Sequence, residues 1–276
     1  MLRTRVLTAI ALLALFLGLL FYAPALVWAL FAAAIVGLAG WEWSRLCGLG
    51  SGSRLAWLVV SAAALGVATL AFWKVPATQF VEGARAAFGI ALVFWLFVAP
   101  VWMALRVRPA PWLAALAGWV VLLPLWAALV VLRDAGPWVL LGAAAIVWVA
   151  DIAAYFVGRR FGQHRLAPSI SPGKTWEGVA GAVVAVIAYG VLLGALAGAD
   201  PGPLSMFTGT GAWLGLVALV VVTALSIEGD LFESWMKRLA GRKDSSSLLP
   251  GHGGVLDRID ALAPTLPFAA LLVALG

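Results

Sequence analysis

The stretch Trp112–Leu132, W-L-A-A-L-A-G-W-V-V-L-L-P-L-W-A-A-L-V-V-L, contains no charged residue. A helix needs about 20 apolar residues to cross the hydrocarbon core of a bilayer, so this stretch predicts a transmembrane helix. Pro124 lies inside it and predicts a kink, because proline removes an intrahelical hydrogen bond. The whole 276-residue chain is 64% hydrophobic and 11% charged. Soluble proteins average about 25% charged residues, so the composition predicts a multi-span membrane protein.

Further apolar segments on both sides of this stretch predict an all-α bundle of about nine transmembrane helices. We expect it to form a single integral membrane domain, residues 1–276. The first run is interpreted as a transmembrane helix rather than a cleaved leader, because a second run follows it at once. The last run is short for a span and contains Pro264 and Pro267. The expected helices are about Val6–Tyr22, from Pro24 to Gly40, Leu55–Trp73, Ala86–Leu105, Trp112–Leu132, Trp138–Val157, Val179–Ala197, Gly211–Ile227 and Ala261–Gly276.

Lysine and arginine are distributed unevenly between the two sides of the predicted bundle. Cytoplasmic segments of membrane proteins carry an excess of these residues. With a cytoplasmic N-terminus, fifteen of the 18 fall on the cytoplasmic side, and the others are Lys74, Arg85 and Arg133. This bias accounts for most of the net charge of +6, so we expect no nucleic-acid partner. It also places two polar stretches, Gly158–Gly178 and Ser226–Asp260, on the cytoplasmic face.

The stretch Ser226–Asp260 holds six of the 12 acidic residues, five of the 18 Lys/Arg residues and one of the two His residues. An unpaired charge in lipid costs on the order of 3 kcal/mol, so the stretch must face water, a ligand or a charge partner. Its first part either continues the preceding helix or starts a new one. As a helix it would present acid, hydroxyl and ammonium groups on one face: Asp230, Glu233, Ser234 and Lys237. A charge-paired helix without a ligand is the alternative.

The second part of this stretch contains a glycine-rich bend. Lys243–Ser247 is small and polar, which suits a turn or a loop that closes over a ligand. Pro250–Gly254, P-G-H-G-G, lets backbone amides approach a ligand closely. His252 at its tip either orients a phosphate or shuttles a proton, or it only caps the bend. Asp257 and Asp260 follow as two further carboxylates.

A second polar constellation begins at Asp151, which shares a helical face with Tyr155 and Gly158. A carboxylate this close to the membrane interior is a functional candidate by default. The structural alternative is an ion pair with Arg159 or Arg160 at the end of the same helix.

The polar loop after this helix contains S-P-G-K-T, residues 171–175. A P-loop requires G-x-x-x-x-G-K-[ST], but Pro168 occupies the place of the first glycine and we expect no strand before it. A Walker A motif is therefore excluded. Ser171 and Lys174 at the mouth of a helix can nevertheless hold phosphate oxygens. A solvated loop without a ligand is the alternative.

The residue types favour a hard cation and phosphate chemistry. Mg²⁺ binds through one or two carboxylates together with substrate phosphates, whereas zinc prefers Cys and His, which are scarce here. Phosphoryl and nucleotidyl transfer depend mainly on positioned groups that neutralise charge. Carboxylate chemistry on sugars suits the chain less well, because the many cations would serve no purpose in it.

Residues Ser234–Asp260, S-W-M-K-R-L-A-G-R-K-D-S-S-S-L-L-P-G-H-G-G-V-L-D-R-I-D, resemble the signature of phosphatidate cytidylyltransferases, also called CDP-diacylglycerol synthases, with every fixed position filled. Three other segments also look like this family: A-Y-F-V-G-R-R-F-G (154–162), S-P-G-K-T-W-E-G (171–178) and G-D-L-F-E-S (229–234). The N-terminal helices resemble it only in hydropathy and in W-E-W at 41–43.

The resemblance implies an enzyme that makes CDP-diacylglycerol and pyrophosphate from CTP and phosphatidic acid with Mg²⁺. It implies a nine-helix, homodimeric enzyme of the bacterial inner membrane. With the charge distribution, it predicts an active site on the cytoplasmic face, carried by residues 138–276.

The resemblance and the residue chemistry together predict individual roles. Asp230 and Asp257 are expected to hold the metal, with Asp260 or Asp151 assisting, and a second cation is left open. Lys237 and His252 complete the expected catalytic set. The attacking phosphate is already an anion and needs no strong general base. The expected phosphate-binding residues are Ser171, Lys174, Arg238, Lys243, Asp244 and Arg258.

Three other functions would fit parts of the pattern. An anion transporter would gather charges in broken helices at the midplane and usually show an internal repeat, whereas here the charge lies at one face and no repeat is clear. A CTP-dependent polyprenol kinase would transfer the γ-phosphoryl group instead. A purely structural scaffold would not need this density of acids and bases.

Overall fold

A computed structural model of the chain describes residues 2–197, 212–249 and 251–275. The helices are α1 (Leu2–Tyr22), α2 (Ala25–Leu46), α3 (Ser51–Lys74), α4 (Ala77–Val93), α5 (Ala99–Ala104), α6 (Pro111–Ala135), α7 (Pro137–Phe161), α8 (Trp176–Ala197), α9 (Ala212–Leu239), α10 (Leu256–Ile259) and α11 (Leu262–Leu275). A π-helical turn, Phe94–Val98, joins α4 to α5. Two short strands, β1 (Arg165–Ala167) and β2 (Ser171–Thr175), form an antiparallel hairpin.

Within the described part of the chain, seven helical segments are long and apolar enough to cross a bilayer. They are α2, α3, the continuous α4–α5 segment, α6, α7, α8 and α9. The apolar part of α1, Leu7–Tyr22, and α11 are shorter apolar helices. The prediction of an all-α polytopic membrane protein is confirmed. The number of segments that cross the bilayer and the side of the N-terminus stay predictions.

The fourth predicted helix begins earlier than expected. The polar residues before Ala86 were expected to separate two helices, but α4 begins at Ala77, directly after Pro76. An ion pair of 2.8 Å between Glu82 and Arg85, three residues apart, fits this helical start. Further along, Pro100 lacks an N–H group, and the interrupted hydrogen-bond ladder coincides with the π-helical turn before it.

The polar loop expected at Gly158–Gly178 is largely ordered. Helix α7 continues to Phe161, and the hairpin pairs Arg165 with Thr175 and Ala167 with Ser171. The expectation of no strand before Lys174 was wrong, because β1 precedes it and Lys174 itself lies in β2. The next predicted loop, 198–210, and residue 211 lie outside the described residues.

The first part of the stretch Ser226–Asp260 continues the preceding helix and does not start a new one. The apolar helix runs without interruption through the charged face and ends at Leu239. Gly229 allows this helix to approach the end of α10 and the start of α11. A Cβ atom at Gly229 would overlap the Asp260 carbonyl oxygen and the ring of Pro264. The missing side chain therefore places Asp230 beside Asp260.

Gly229→Ala is expected to lower the unfolding temperature, because its methyl group would push α9 away from α11. Overpacking of this kind costs about 1–3 kcal/mol. Gly66→Ala on α3 is the matched control, since no atom lies within 4 Å of the position of its methyl group. Thermal unfolding in detergent, followed by tryptophan fluorescence, compares the two variants. Equal midpoints would contradict the close approach.

Helix α6 lies at the centre of the bundle, and indole groups connect it to its neighbours. Trp28 Nε1 donates to the Leu129 carbonyl at 2.9 Å, and Trp126 Nε1 donates to the Ala29 carbonyl at 3.1 Å. Trp43 Nε1 donates to the Ala114 carbonyl at 2.9 Å. Such interhelical bonds and close packing replace the hydrophobic driving force that is absent within lipid. They fix both the start and the end of α2 against α6.

Candidate active site

The two polar constellations meet at one ion pair. Lys174 Nζ on β2 lies 2.8 Å from Asp230 Oδ2 on α9. The same ammonium group donates to the Ile227 carbonyl at 3.3 Å. Residues that are 56 positions apart in the sequence thus form one polar surface at one end of the bundle.

A cavity of about 570 Å³ opens beside this pair. It lies between α7, the hairpin, α8 and α9, and its volume is typical of small-molecule sites. Arg159 Nη1 donates to the Tyr155 hydroxyl at 2.9 Å. Among the described residues, Asp151 forms no ion pair with Arg159 or Arg160, so the structural alternative for Asp151 is not observed. The charged and hydroxyl-bearing lining residues include Asp151, Tyr155, Arg159, Arg165, Lys174 and Asp230.

The floor of this cavity depends on glycines that surround Thr175. Cβ atoms at Gly158 and Gly178 would lie 2.9 Å and 3.2 Å from Thr175 Oγ1. The buried Thr175 hydroxyl accepts the Gly178 N–H at 3.2 Å and so satisfies an amide at the start of α8. The hairpin is thereby held against α7, and Lys174 is directed towards α9.

Glu177 holds the other side of the hairpin. Its carboxylate accepts the backbone N–H groups of Gln163 and His164 at 3.1 and 3.3 Å. It also lies 2.6 Å from His164 Nδ1. This residue therefore joins the start of α8 to the end of α7 rather than facing the cavity.

A second charged cluster continues along α9. Lys237 Nζ lies 2.5 Å from Glu233 Oε2 and 2.6 Å from Asp257 Oδ1. Asp257 Oδ2 accepts the Ser245 hydroxyl at 2.9 Å, the Ser245 N–H at 3.1 Å and the Gly254 N–H at 2.7 Å. Both carboxylate oxygens of Asp257 are thus engaged by protein donors.

These contacts explain the ionisation of Asp257. Burial raises its pKa, but hydrogen bonds that involve Glu233, Lys237 and the Gly254 N–H outweigh this effect and lower the pKa to about 2. Asp257 is therefore an anion that organises the loop between α9 and α10. Direct metal binding by Asp257 would require some of these donors to give way.

Asp260 lies in a different environment. It is partly buried, and its Oδ1 accepts the Ala261 N–H at 2.8 Å. Burial raises the pKa of Asp260, and the nearby Asp230 carboxylate raises it further. Asp260 is thus close enough to Asp230 for the charge of Asp230 to act on it.

The predicted metal site stays a prediction. Across residues 2–197, 212–249 and 251–275, no three His, Cys, Asp or Glu side chains form a cluster that could hold a metal ion. Mg²⁺ needs only one or two carboxylates when substrate phosphates complete its coordination. Asp230, Asp260 and Asp151 therefore stay candidate ligands, and Asp151 and Asp230 line the same cavity.

The glycine-rich bend is tight, as expected. Gly251 and Gly253 adopt positive φ values of 76° and 83°, and Pro250 lies outside the described residues. The His252 carbonyl accepts the Arg258 guanidinium, with Nε at 3.0 Å, and its ring Nδ1 lies 3.2 Å from Thr8 Oγ1. Both His252 and Arg258 therefore take part in bracing the bend, while their predicted roles towards substrate stay predictions.

Several predicted phosphate-binding residues do not line the 570 Å³ cavity. Arg238, Lys243 and Asp244 are exposed near the end of α9, and Arg238 Nη1 donates to the Arg242 carbonyl at 3.4 Å. Ser171 lies in β2, partly buried, three residues before Lys174. The structure thus brings Lys174, Asp230 and Asp151 together at the cavity, with Asp260 close to Asp230, and the three exposed residues lie outside the lining.

The sequence interpretation missed Glu42 on α2. This fully buried carboxylate accepts the Ser246 hydroxyl at 2.5 Å and the Ser245 hydroxyl at 3.1 Å. It also accepts the Val255 and Leu256 N–H groups at 3.0 and 2.6 Å. One feature of the sequence could have identified Glu42. An unpaired carboxylate between two tryptophans in an apolar helix has a high free-energy cost, so it needs a hydrogen-bond or charge partner.

Glu42 and Asp257 hold the same loop from opposite sides. The Ser245 hydroxyl lies between them, 3.1 Å from Glu42 Oε2 and 2.9 Å from Asp257 Oδ2. A Cβ atom at Gly254 would overlap both Ser245 and Glu42, which explains the glycine there. The N-terminal half of the chain therefore contributes a buried anchor to the loop between α9 and α10, which we call the charged loop.

The sequence of the chain matches the family model described as the cytidylyltransferase family over residues 3–275. The chain belongs to the cytidylyltransferase family. It is 39% identical to the phosphatidate cytidylyltransferase of Pseudomonas aeruginosa over 286 residues, which covers 100% of this chain and 98% of that relative. It is 45% identical to the Haemophilus influenzae protein of that name over 134 residues, covering 48% of this chain and 44% of the relative. The Brucella suis protein of that name is 47% identical over 132 residues, with coverage of 48% and 44%.

Proposed function

We propose that this member of the family is a CTP:phosphatidate cytidylyltransferase that makes CDP-diacylglycerol for phospholipid synthesis. The observation that carries the proposal is the 2.8 Å contact between Lys174 and Asp230, which joins the two charged segments beside a cavity. The full-length similarity to a relative named phosphatidate cytidylyltransferase supports the choice of substrates.

In this reaction a phosphate oxygen of phosphatidic acid forms a bond to the α-phosphorus of CTP. The bond between that phosphorus and the bridging oxygen to the β-phosphorus breaks, and its electron pair leaves with pyrophosphate. Two anions must approach each other, so the main task of the protein is to neutralise and orient charge. Lys174 on β2, at the cavity, and Lys237 on α9 supply fixed positive charge for this task.

The arrangement of carboxylates fits bound Mg²⁺. A bound Mg²⁺ would supply the positive charge that offsets the triphosphate and the leaving pyrophosphate. We assign the first place to Asp230 and Asp260, with Asp151 nearby, because protein donors engage both oxygens of Asp257. In this proposal Asp257 holds the loop that carries His252 and Arg258, and a second cation is left open.

We also propose where the enzyme lies in the cell. The lysine and arginine distribution supports a cytoplasmic active site in the inner membrane, where the acyl chains of phosphatidic acid stay in the bilayer and its headgroup enters the polar cavity. We also propose a homodimer, as in the family that the sequence resembles. Cross-linking in native membranes tests the dimer, and reporter fusions at both termini test the orientation.

CTP labelled on the α-phosphate is expected to transfer its label to lipid when the purified protein receives phosphatidic acid and Mg²⁺. The transfer should stop when Mg²⁺ is chelated. Transfer of a γ-label to lipid would instead favour the polyprenol kinase. Uptake of an anion into proteoliposomes without a lipid product would favour the transporter.

A further inference from the structure

A second cavity, of about 470 Å³, lies at the ends of α2 and α9 and the start of α6. None of its lining residues lines the cavity beside Asp230. It contacts α9 through Met236, Leu239 and Ala240, which lie on a different face from Asp230. The two cavities are therefore separate.

Three arginines from different segments line this second cavity. Arg45 lies at the end of α2, Arg108 between α5 and α6, and Arg242 after α9. Within the described part of the chain, none of them forms an ion pair with a carboxylate. Cations that surround one hollow repel each other, so an anion in the hollow would lower the electrostatic energy.

The backbone and the neighbouring rings hold these arginines in place. The Arg45 guanidinium lies 4.8 Å from the centre of the Trp41 ring, a stabilising cation–π distance. The Arg242 N–H donates to the Lys237 carbonyl at 2.8 Å. Pro109 and Pro111 flank the Arg108 segment and restrict its backbone. The arrangement is thus partly preorganised, which reduces the entropy lost on binding.

The chemistry of the lining points to a phosphate group. Guanidinium groups bind phosphate through paired hydrogen bonds. The inner wall is apolar and includes Leu46, Met236 and Leu239. Two membrane-spanning helices also end at this level, α2 at Leu46 and α9 at Leu239, which is where lipid headgroups lie.

We propose that this arginine cavity binds a phosphate-bearing anion, a phospholipid headgroup or a free phosphate, at a place separate from the substrate site. Arg45 lies three residues after Glu42, and Arg242 lies three residues before Ser245. An anion held between Arg45 and Arg242 would therefore stabilise the same junction of α2 with the charged loop. Anion binding in the cavity would therefore make that loop more ordered.

The test compares two double variants of equal charge. Arg45→Gln/Arg242→Gln removes two cations from the cavity, and Arg54→Gln/Arg106→Gln removes two arginines that do not line it. Purified proteins in neutral detergent are titrated with phosphatidylglycerol, phosphatidylcholine or inorganic phosphate, and binding is followed by thermal unfolding and native mass spectrometry. Phosphatidylglycerol is used because it is not a substrate of the proposed reaction.

Phosphatidylglycerol is expected to raise the unfolding temperature of the unmodified protein and the control variant, with no comparable effect of phosphatidylcholine. The cavity variant should bind it roughly tenfold more weakly or worse. An arginine-dependent effect of inorganic phosphate without one of the lipid would identify free phosphate as the ligand. Equal responses of all proteins would overturn the proposal. If the double variant does not fold, the single variant Arg108→Gln repeats the test, because Arg108 lines the cavity and its side chain is exposed.

Discussion

Replacing Glu42 by Gln is expected to lower kcat by roughly 100-fold while the helical bundle remains folded. The substitution keeps the size of the side chain but turns one acceptor oxygen into a donor that faces other donors. Hydrogen bonds to a charged group contribute about 1.5–3 kcal/mol each. Glu42 accepts three from the loop between α9 and α10, and it shares the single Ser245 hydroxyl proton with Asp257. The loop would lose its anchor, and with it the fixed position of Asp257. Steady-state assays with CTP and phosphatidic acid measure the effect.

Hydrogen exchange separates this positioning role from a general loss of stability. The amides of Val255 and Leu256 should exchange much faster in the Glu42→Gln protein, whereas amides in the centre of α6 should keep their protection. Glu82→Gln is the control, because Glu82 is an exposed glutamate that pairs only with Arg85 in the described structure. Normal turnover with unchanged loop protection would show that Glu42 does not position the site.

Asp230→Asn is expected to reduce kcat by roughly 1,000-fold, the upper range for loss of one group that stabilises transition-state charge. The variant loses the partner of Lys174 and, in our proposal, a metal ligand. It should also require a higher Mg²⁺ concentration for half-maximal activity. Asp134→Asn, an exposed aspartate at the end of α6, is the control. Activity and Mg²⁺ dependence are measured on both proteins.

The Mg²⁺ dependence of Asp257→Asn distinguishes the two aspartates. If Asp257 only organises the loop, its Asn variant should lose turnover at every Mg²⁺ concentration and should expose the loop to proteolysis. A restored rate at high Mg²⁺ would instead place Asp257 among the metal ligands. Near-normal turnover at every Mg²⁺ concentration, including the lowest, would exclude a metal-ligand role for Asp257. An unchanged Mg²⁺ dependence of Asp230→Asn would contradict the assignment of Asp230.

Several features of this protein followed from the sequence by itself. A membrane-spanning helix must satisfy all its backbone groups internally and needs about 20 apolar residues, so hydropathy located most of the helices. The expected segments Trp112–Leu132 and Trp138–Val157 correspond to α6 and α7, each a few residues longer. The segment Ser234–Asp260 carried the resemblance to the family, which the match over residues 3–275 confirmed.

Only the tertiary structure decided which charged residues meet. Hydropathy and motif spacing are local properties, whereas the pairs Lys174–Asp230 and Glu42–Ser245 join residues that are far apart in the chain. Asp257 and Asp260 are only three residues apart, and the sequence does not show that their environments differ. Hydrogen-bond donors surround Asp257, whereas Asp260 lies near Asp230. Those environments depend on where Gly229 and Gly254 allow the helices and the loop to approach. The sequence determined the membrane bundle and the family, and the packing of distant segments determined the site.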